Sequence, residues 1–136
     1  MKFSADYVLF CHITTQVETD KHQDLLEKKG LAVPESWDEI ASAAAAAQTP
    51  QIVGYLHGLN KSGNAVNLTN WLVPSLWAVG VELLGKDGRA AFNTEAGARP
   101  FTWLYEMVFK HKVTPANIVA LSRDNVLDAF KAGTAV

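Results

Sequence analysis

The stretch Asn67-Leu68-Thr69-Asn70-Trp71-Leu72-Val73-Pro74-Ser75-Leu76-Trp77-Ala78-Val79-Gly80 carries the side chains best suited to chemistry. Asn67, Thr69 and Asn70 donate and accept hydrogen bonds, and the indole of Trp71 offers an apolar plane beside them. That set suits a hydroxyl-rich molecule: amides meet hydroxyls, an aromatic ring stacks on the apolar face of a sugar, and helix-end N–H groups point outward. The plainer reading is an amphipathic helix over 69–84, with Leu72, Leu76, Val79 and Leu83 at helical spacing. In that reading Thr69 or Asn70 caps the N-terminus and Pro74 sits in the first turn, where its missing N–H costs little. Aromatic stripes more often build cores than sites.

Other reactive residues form no comparable group. Cys11 and His12 are adjacent but not arranged as nucleophile and base, and a single cysteine excludes an internal disulfide. His12, His22, His57 and His111 lack metal-ligand spacing. The sequons at Asn60 and Asn67 match a pattern common by chance. Glu82, Asp87 and Glu95 cluster around a turn and a helix cap, the weak basis for a small hydrolase. With no nucleophile–base pair, metal cluster or phosphate loop, the residues argue for a binding protein without a cofactor rather than an enzyme.

The chain has 136 residues, 49% hydrophobic and 19% charged, as expected of one domain with a real core. Its formal net charge of −2, with scattered basic residues, gives no footprint for nucleic acid. No run is long enough to span a membrane. The first fifteen residues have one lysine and a short apolar run, without the long apolar region and cleavage site of a signal peptide.

The elements follow from caps and periodicity. A β-prone segment at 7–13 leads through a polar loop to a helical turn at 24–29, closed by Gly30. Ser36 and Glu39 form a capping box for a helix over 36–48, whose run of alanines gives a smooth face for close approach. A short strand over 51–56 and a glycine-containing loop lead to the helix at 69–84. Lys86-Asp87-Gly88 turns the chain into a short strand at 89–92. Asn93 caps a helix over 93–111, which Pro100 should kink or whose regular part it should delay, with Phe101, Leu104, Tyr105 and Val108 inward. Ser122 caps a last helix over 122–132, with Val126, Leu127 and Phe130 inward and Gly133 at its end. Thr134-Ala135-Val136 reads as a strand just beginning. Trp37 and Trp77 are expected in the core, and Trp103 there or on a helix surface.

The ordered motifs from Asp24 onward resemble the extracytoplasmic solute-binding proteins of bacterial sugar ABC transporters, in the maltose-binding group. Asp24-Leu25-Leu26 with Gly30, Pro34-Glu35-Ser36-Trp37-Asp38-Glu39 and Trp77-Ala78-Val79-Gly80 match family segments in order. So do Asp87-Gly88, Phe92-Asn93, Glu95-Ala96 and Phe130-Lys131-Ala132-Gly133-Thr134-Ala135. No single motif is specific; the set covers roughly four-fifths of the chain. Val81 stands where the family has a second glycine, Pro100 interrupts a smooth helix, and residues 1–23 do not match.

The resemblance implies an α/β, type II periplasmic-binding-protein-like lobe, helix-rich with a small sheet. Residues 24–136 would form most of a C-terminal lobe of a longer, two-lobed chain, after an unmatched segment 1–23. It implies a carbohydrate ligand, an ABC transporter permease as partner, and a periplasmic or extracellular location. It places Asn67, Thr69, Asn70 and Trp71 at the cleft-facing entry to the lobe's central helix, where such proteins stack aromatic rings on sugar. Trp71→Ala is then expected to remove binding and leave the fold intact, if the ring faces the cleft. The rival is a truncated, helix-rich interaction domain that no longer binds sugar and self-associates through the surface left open.

Overall fold

The computed structural model describes residues 26–60 and 66–136; the expected strand at 7–13 lies outside them. Among the described residues four helices follow in order: α1 (Trp37–Ala47), α2 (Val66–Ala78), α3 (Glu95–Phe109) and α4 (Arg123–Lys131), with a 3-10 turn at Ile118–Ala120 before α4. A helical turn at 26–28 precedes them and closes as expected at Gly30, whose φ is +66°.

The caps explain the helix boundaries. Ser36 Oγ accepts the Glu39 N–H at 3.3 Å, while the Glu39 carboxylate accepts from the Glu35 N–H at 2.7 Å, one residue before the expected partner. Ser122 and Asn125 form a complete capping box on α4. Thr94, not Asn93, caps α3: its hydroxyl accepts the Gly97 N–H at 3.0 Å. The helix α2 ends at Ala78, short of the expected 84. Gly80 takes φ +76° there, its N–H reaching the Trp77 carbonyl and the Val81 N–H reaching that of Leu76, both at 2.9 Å. Those paired bonds satisfy the last carbonyls and stop the helix.

The expected strands at 51–56 and 89–92 are present only as isolated bridges: Thr49 with Ile52, Val53 with Ala135 in parallel, and Leu84 with Ala90. The reason lies in the pairing along 53–55. Val53 exchanges bonds with Thr134 and Val136, but two residues on the Tyr55 N–H goes to the Val113 carbonyl. Successive positions pair with different segments, so no ladder of uniform register develops. Beyond 55, Leu59 and Asn60 donate to the carbonyls of Ile118 and Leu121. The segment 53–60 is therefore the spine that the C-terminal half is pinned to.

The helix α1 lies over this spine through its alanine face, with Ala41, Ala44 and Ala47 buried. Gly54 is the point of contact: a Cβ there would overlap the Ala44 carbonyl. Met107 and Val113 complete that core, with Ile40, Tyr55 and Trp103 at its edge. Trp103 packs on Trp37 and Tyr55, with ring centroids 5.5 and 5.3 Å apart, and donates its indole N–H to the Trp37 carbonyl at 3.1 Å.

Two expected core assignments change. In α3 the buried residues are Gly97, Pro100, Leu104 and Met107, while Phe101 and Tyr105 are exposed. Gly97 brings the start of α3 so close to the Phe92 carbonyl that a Cβ would clash; Tyr105 lies on the solvent side, and Phe101 reaches the core only at the edge of Trp71. Trp77 is 49% exposed rather than buried. It lies two residues beyond buried Ser75 and six beyond buried Trp71, and at about 100° per residue neither spacing returns it to their face.

Candidate functional site

Val66 begins α2 three residues before Thr69. Thr69 and Asn70 are therefore interior residues of the opening turns, not caps, and both side chains are exposed. Asn67 lies in the first turn. Pro74 is likewise inside the helix, not in its first turn. A helical N–H at position 74 would have bonded the Asn70 carbonyl, four residues back, and proline has none to give. Asn70 therefore presents an exposed side-chain amide on a residue whose carbonyl Pro74 cannot engage. Nearby, Ser75 Oγ donates to the Trp71 carbonyl at 2.6 Å. No charged residue occurs anywhere in α2, so this surface is polar but electrically neutral. It can exchange hydrogen bonds with hydroxyls, and it supplies no group that would lose or take a proton near neutral pH.

Trp71 does not share that exposure. Its side chain is 5% exposed and packs with Leu104 and Ile118, ringed by Tyr55, Leu59, Leu72, Trp103 and Val108. Phe101 meets its ring edge-on at 5.9 Å, and buried His57 lies 6.2 Å away. An indole held on so many sides offers no open face for a ligand to stack on. Trp71 thus anchors the opening turns of α2 to α3 and the spine, beside the exposed Asn70 amide.

Tyr55 connects the two cores. Burial pushes its hydroxyl up to about 12 from an ordinary value of 10, and a hydrogen bond with the Trp71 side chain opposes that shift. Indole is only a donor, so Trp71 Nε1–H donates to the phenol oxygen. The ionised phenol is disfavoured in the folded chain and free to form in the unfolded one. Stability from this group is therefore complete below about pH 10 and falls as pH rises toward about 12. The loss should reach ~3 kcal/mol at most. Denaturation midpoints measured across that alkaline range should fall in wild type and fall less in Tyr55→Phe.

Sequence reasoning singled out Asn70, whose side chain is exposed, but not the bed packed around its neighbour Trp71. Tyr55, His57, Leu104 and Ile118 come from three separate stretches, and no local spacing links them to Trp71. Their assembly depends on the long-range bonds of the spine. Among the described residues, no group of three or more His, Cys, Asp or Glu could hold a metal ion. Glu82, Asp87 and Glu95 are all exposed, and the Asp87 carboxylate accepts the Arg89 N–H at 3.1 Å within the 86–88 turn.

Comparison with known proteins places this geometry in context. The family model described as bacterial extracellular solute-binding protein matches residues 22–136. A curated relative from Brucella abortus (strain 2308) is 29% identical over 113 residues, which are 82% of this chain and 27% of the relative. Among solved structures, maltose-bound MalE3 of T. maritima superposes with a TM-score of 0.73 at 26% identity, over 83% of this chain and 29% of that one. An ABC transporter solute-binding protein from Thermotoga lettingae, bound with alpha-D-tagatose, gives 0.71 at 25% identity, over 83% and 29%. The chain thus spans less than a third of the length of the relatives it matches.

Proposed function

Because the chain belongs to the bacterial extracellular solute-binding protein family, we propose that it binds a sugar or related polyol for uptake by an ABC transporter, without catalysing a reaction. The observation that carries this is the likeness to two structures holding sugars, maltose and alpha-D-tagatose, at 25% identity or better. In this reading residues 24–136 form part of a C-terminal lobe. The sugar lies between it and a second lobe, and closure of the two is what a permease on the outer face of the membrane recognises. Asn67, Thr69 and Asn70 contact the ligand hydroxyls. Trp71 contributes from beneath, by fixing the helix start, and would stack directly only after repacking.

A lobe acting alone leaves its side of the ligand open to water. Each hydrogen bond is then worth about 1 kcal/mol net or less, against an association cost of several kcal/mol or more. Calorimetry of the 136-residue chain against maltose, tagatose and related sugars should therefore give affinities no tighter than about millimolar, worth about 4 kcal/mol. Asn70→Ala should weaken that binding further with the denaturation midpoint unchanged. Micromolar binding would overturn the half-site reading.

A second reading is favoured by the burial of Trp71: a helix-rich interaction domain that does not bind sugar. It expects no saturable heat from any sugar.

A further inference from the structure

The outer face of α3 is unlike a solvated surface. Phe101, Tyr105 and Phe109 recur every four residues and are 44%, 62% and 58% exposed. Tyr105 and Phe109 lie against each other with centroids 4.7 Å apart, and Phe101 joins them to the α2 seam through Trp71. Ala98 and Thr102 fill the rest of the face, and the Thr102 hydroxyl is turned back onto the Ala98 carbonyl at 3.2 Å. At 100° per residue these five positions span about 100° of the helix and contain no charge. The four charged residues of α3 and its cap, Glu95, Arg99, Glu106 and Lys110, all fall on one flank of that face. With Gly97, Pro100, Leu104 and Met107 buried on the other side, α3 has an apolar stripe on two sides, as a helix has when something covers both.

The order of residues along this face says what would cover it. Read from N- to C-terminus the flank runs negative, positive, negative, positive. Glu95 and Lys110 are equidistant from the midpoint between Thr102 and Trp103, and so are Arg99 and Glu106. A second α3 laid antiparallel about that midpoint brings Glu95 opposite Lys110 and Arg99 opposite Glu106, twice each by symmetry. The two-fold axis keeps both charged flanks on the same edge. In that register Phe101 lies within one residue of facing Tyr105 and small Ala98 within two of large Phe109, so large and small side chains alternate across the seam. The existing Lys110–Glu106 pair, 3.1 Å apart on the same helix and well exposed, contributes little and can exchange partners at small cost. One arrangement therefore satisfies both shape and charge.

We infer that the outer face of α3 is a self-complementary docking surface, and that its occupant is α3 of a second copy of this chain in antiparallel, two-fold arrangement. This goes beyond the sugar-binding reading and does not depend on it. The aromatic area exposed is roughly half the ~800 Å² per partner of a standard stable interface. An interface this small belongs with weak, transient encounters, populated only at high protein concentration.

Sedimentation of the 136-residue chain from about 0.01 to 1 mM should show a monomer–dimer equilibrium that weakens with added salt. Tyr105→Glu places a charge at the centre of the face and should weaken association ~100-fold. Arg99→Glu and Glu106→Arg each set like charges opposite one another twice, and each alone should weaken it about tenfold. An equimolar mixture of those two variants should associate nearly as well as wild type, because only the mixed pair restores both attractions. Unchanged circular dichroism would show that these exposed substitutions leave the fold intact. A chain that stays monomeric up to 1 mM overturns the inference and leaves the face to another partner. Association that persists in Tyr105→Glu, or a mixture no better than its components, overturns it as well.

Discussion

Trp71→Ala is expected to destabilise the fold by about 3–5 kcal/mol, the range for emptying a large aromatic site in a packed core. The indole is 5% exposed and touches residues from the spine, α2, α3 and the turn at Ile118–Ala120. Its loss leaves a cavity among groups held by different segments, so no single movement can close it. It also removes the donor to the buried Tyr55 hydroxyl, which adds a desolvation cost on top of the void. Total stabilities of domains this size run to about 5–15 kcal/mol, so the variant should be marginal at best. The denaturant midpoint should fall sharply with little change in slope. Trp71→Phe should fall between the two, keeping most of the apolar bulk and losing the N–H. Unchanged stability in Trp71→Ala would mean that the ring faces solvent or a ligand after all, as the sequence alone suggested.

Gly54→Val should cost about 2–4 kcal/mol through overpacking. The φ of Gly54 is not in the left-handed region, so the penalty is one of space and not of backbone conformation. Its Cβ would fall on the Ala44 backbone, which has no rotamer to move. The helix α1 would have to lift off the spine, opening Ala41, Ala44 and Ala47 together. Ala45→Val, on the exposed face of the same helix, should cost less than about 1 kcal/mol. Equal effects at the two positions would show that α1 is not seated on Gly54.

These two sites mark where sequence reasoning worked and where it stopped. The alanine run implied a helix that another element approaches closely, and Ala44 over Gly54 is that approach. Ser36 and Ser122 were legible as caps because capping is local chemistry within four residues. The start of α2 was misplaced because Thr69 and Pro74 each suit a helix N-terminus, and only packing of Trp71 against α3 and the spine shows the helix already under way there. The strands were over-read for a related reason. Ile52, Val53 and Tyr55 have β-forming side chains, but a ladder needs one partner in uniform register, and the spine divides its bonds between 113 and 134–136. In α3 the periodic stripe was half right: Leu104 is buried and Val108 packs against the core, while Phe101 and Tyr105 lie outside it. Phe101 and Tyr105 repeat as regularly as Pro100, Leu104 and Met107, and periodicity alone does not say which of two apolar faces meets the core. At the site, the polar residue types Asn67, Thr69 and Asn70 could be read directly, whereas the burial of Trp71 depends on residues up to 47 positions away.

The most direct test of the central proposal is a nuclear magnetic resonance titration of the isotope-labelled 136-residue chain with maltose and with tagatose, up to about 50 mM. Progressive, saturable shifts should centre on the amides of Asn67, Thr69 and Asn70, with a dissociation constant of about a millimolar or weaker. Resonances of the outer face of α3 should stay in place when the protein is held dilute. Shifts confined to other parts of the surface, or none at the opening turns of α2 at the highest sugar concentration, would contradict the claim that this lobe carries part of a sugar site.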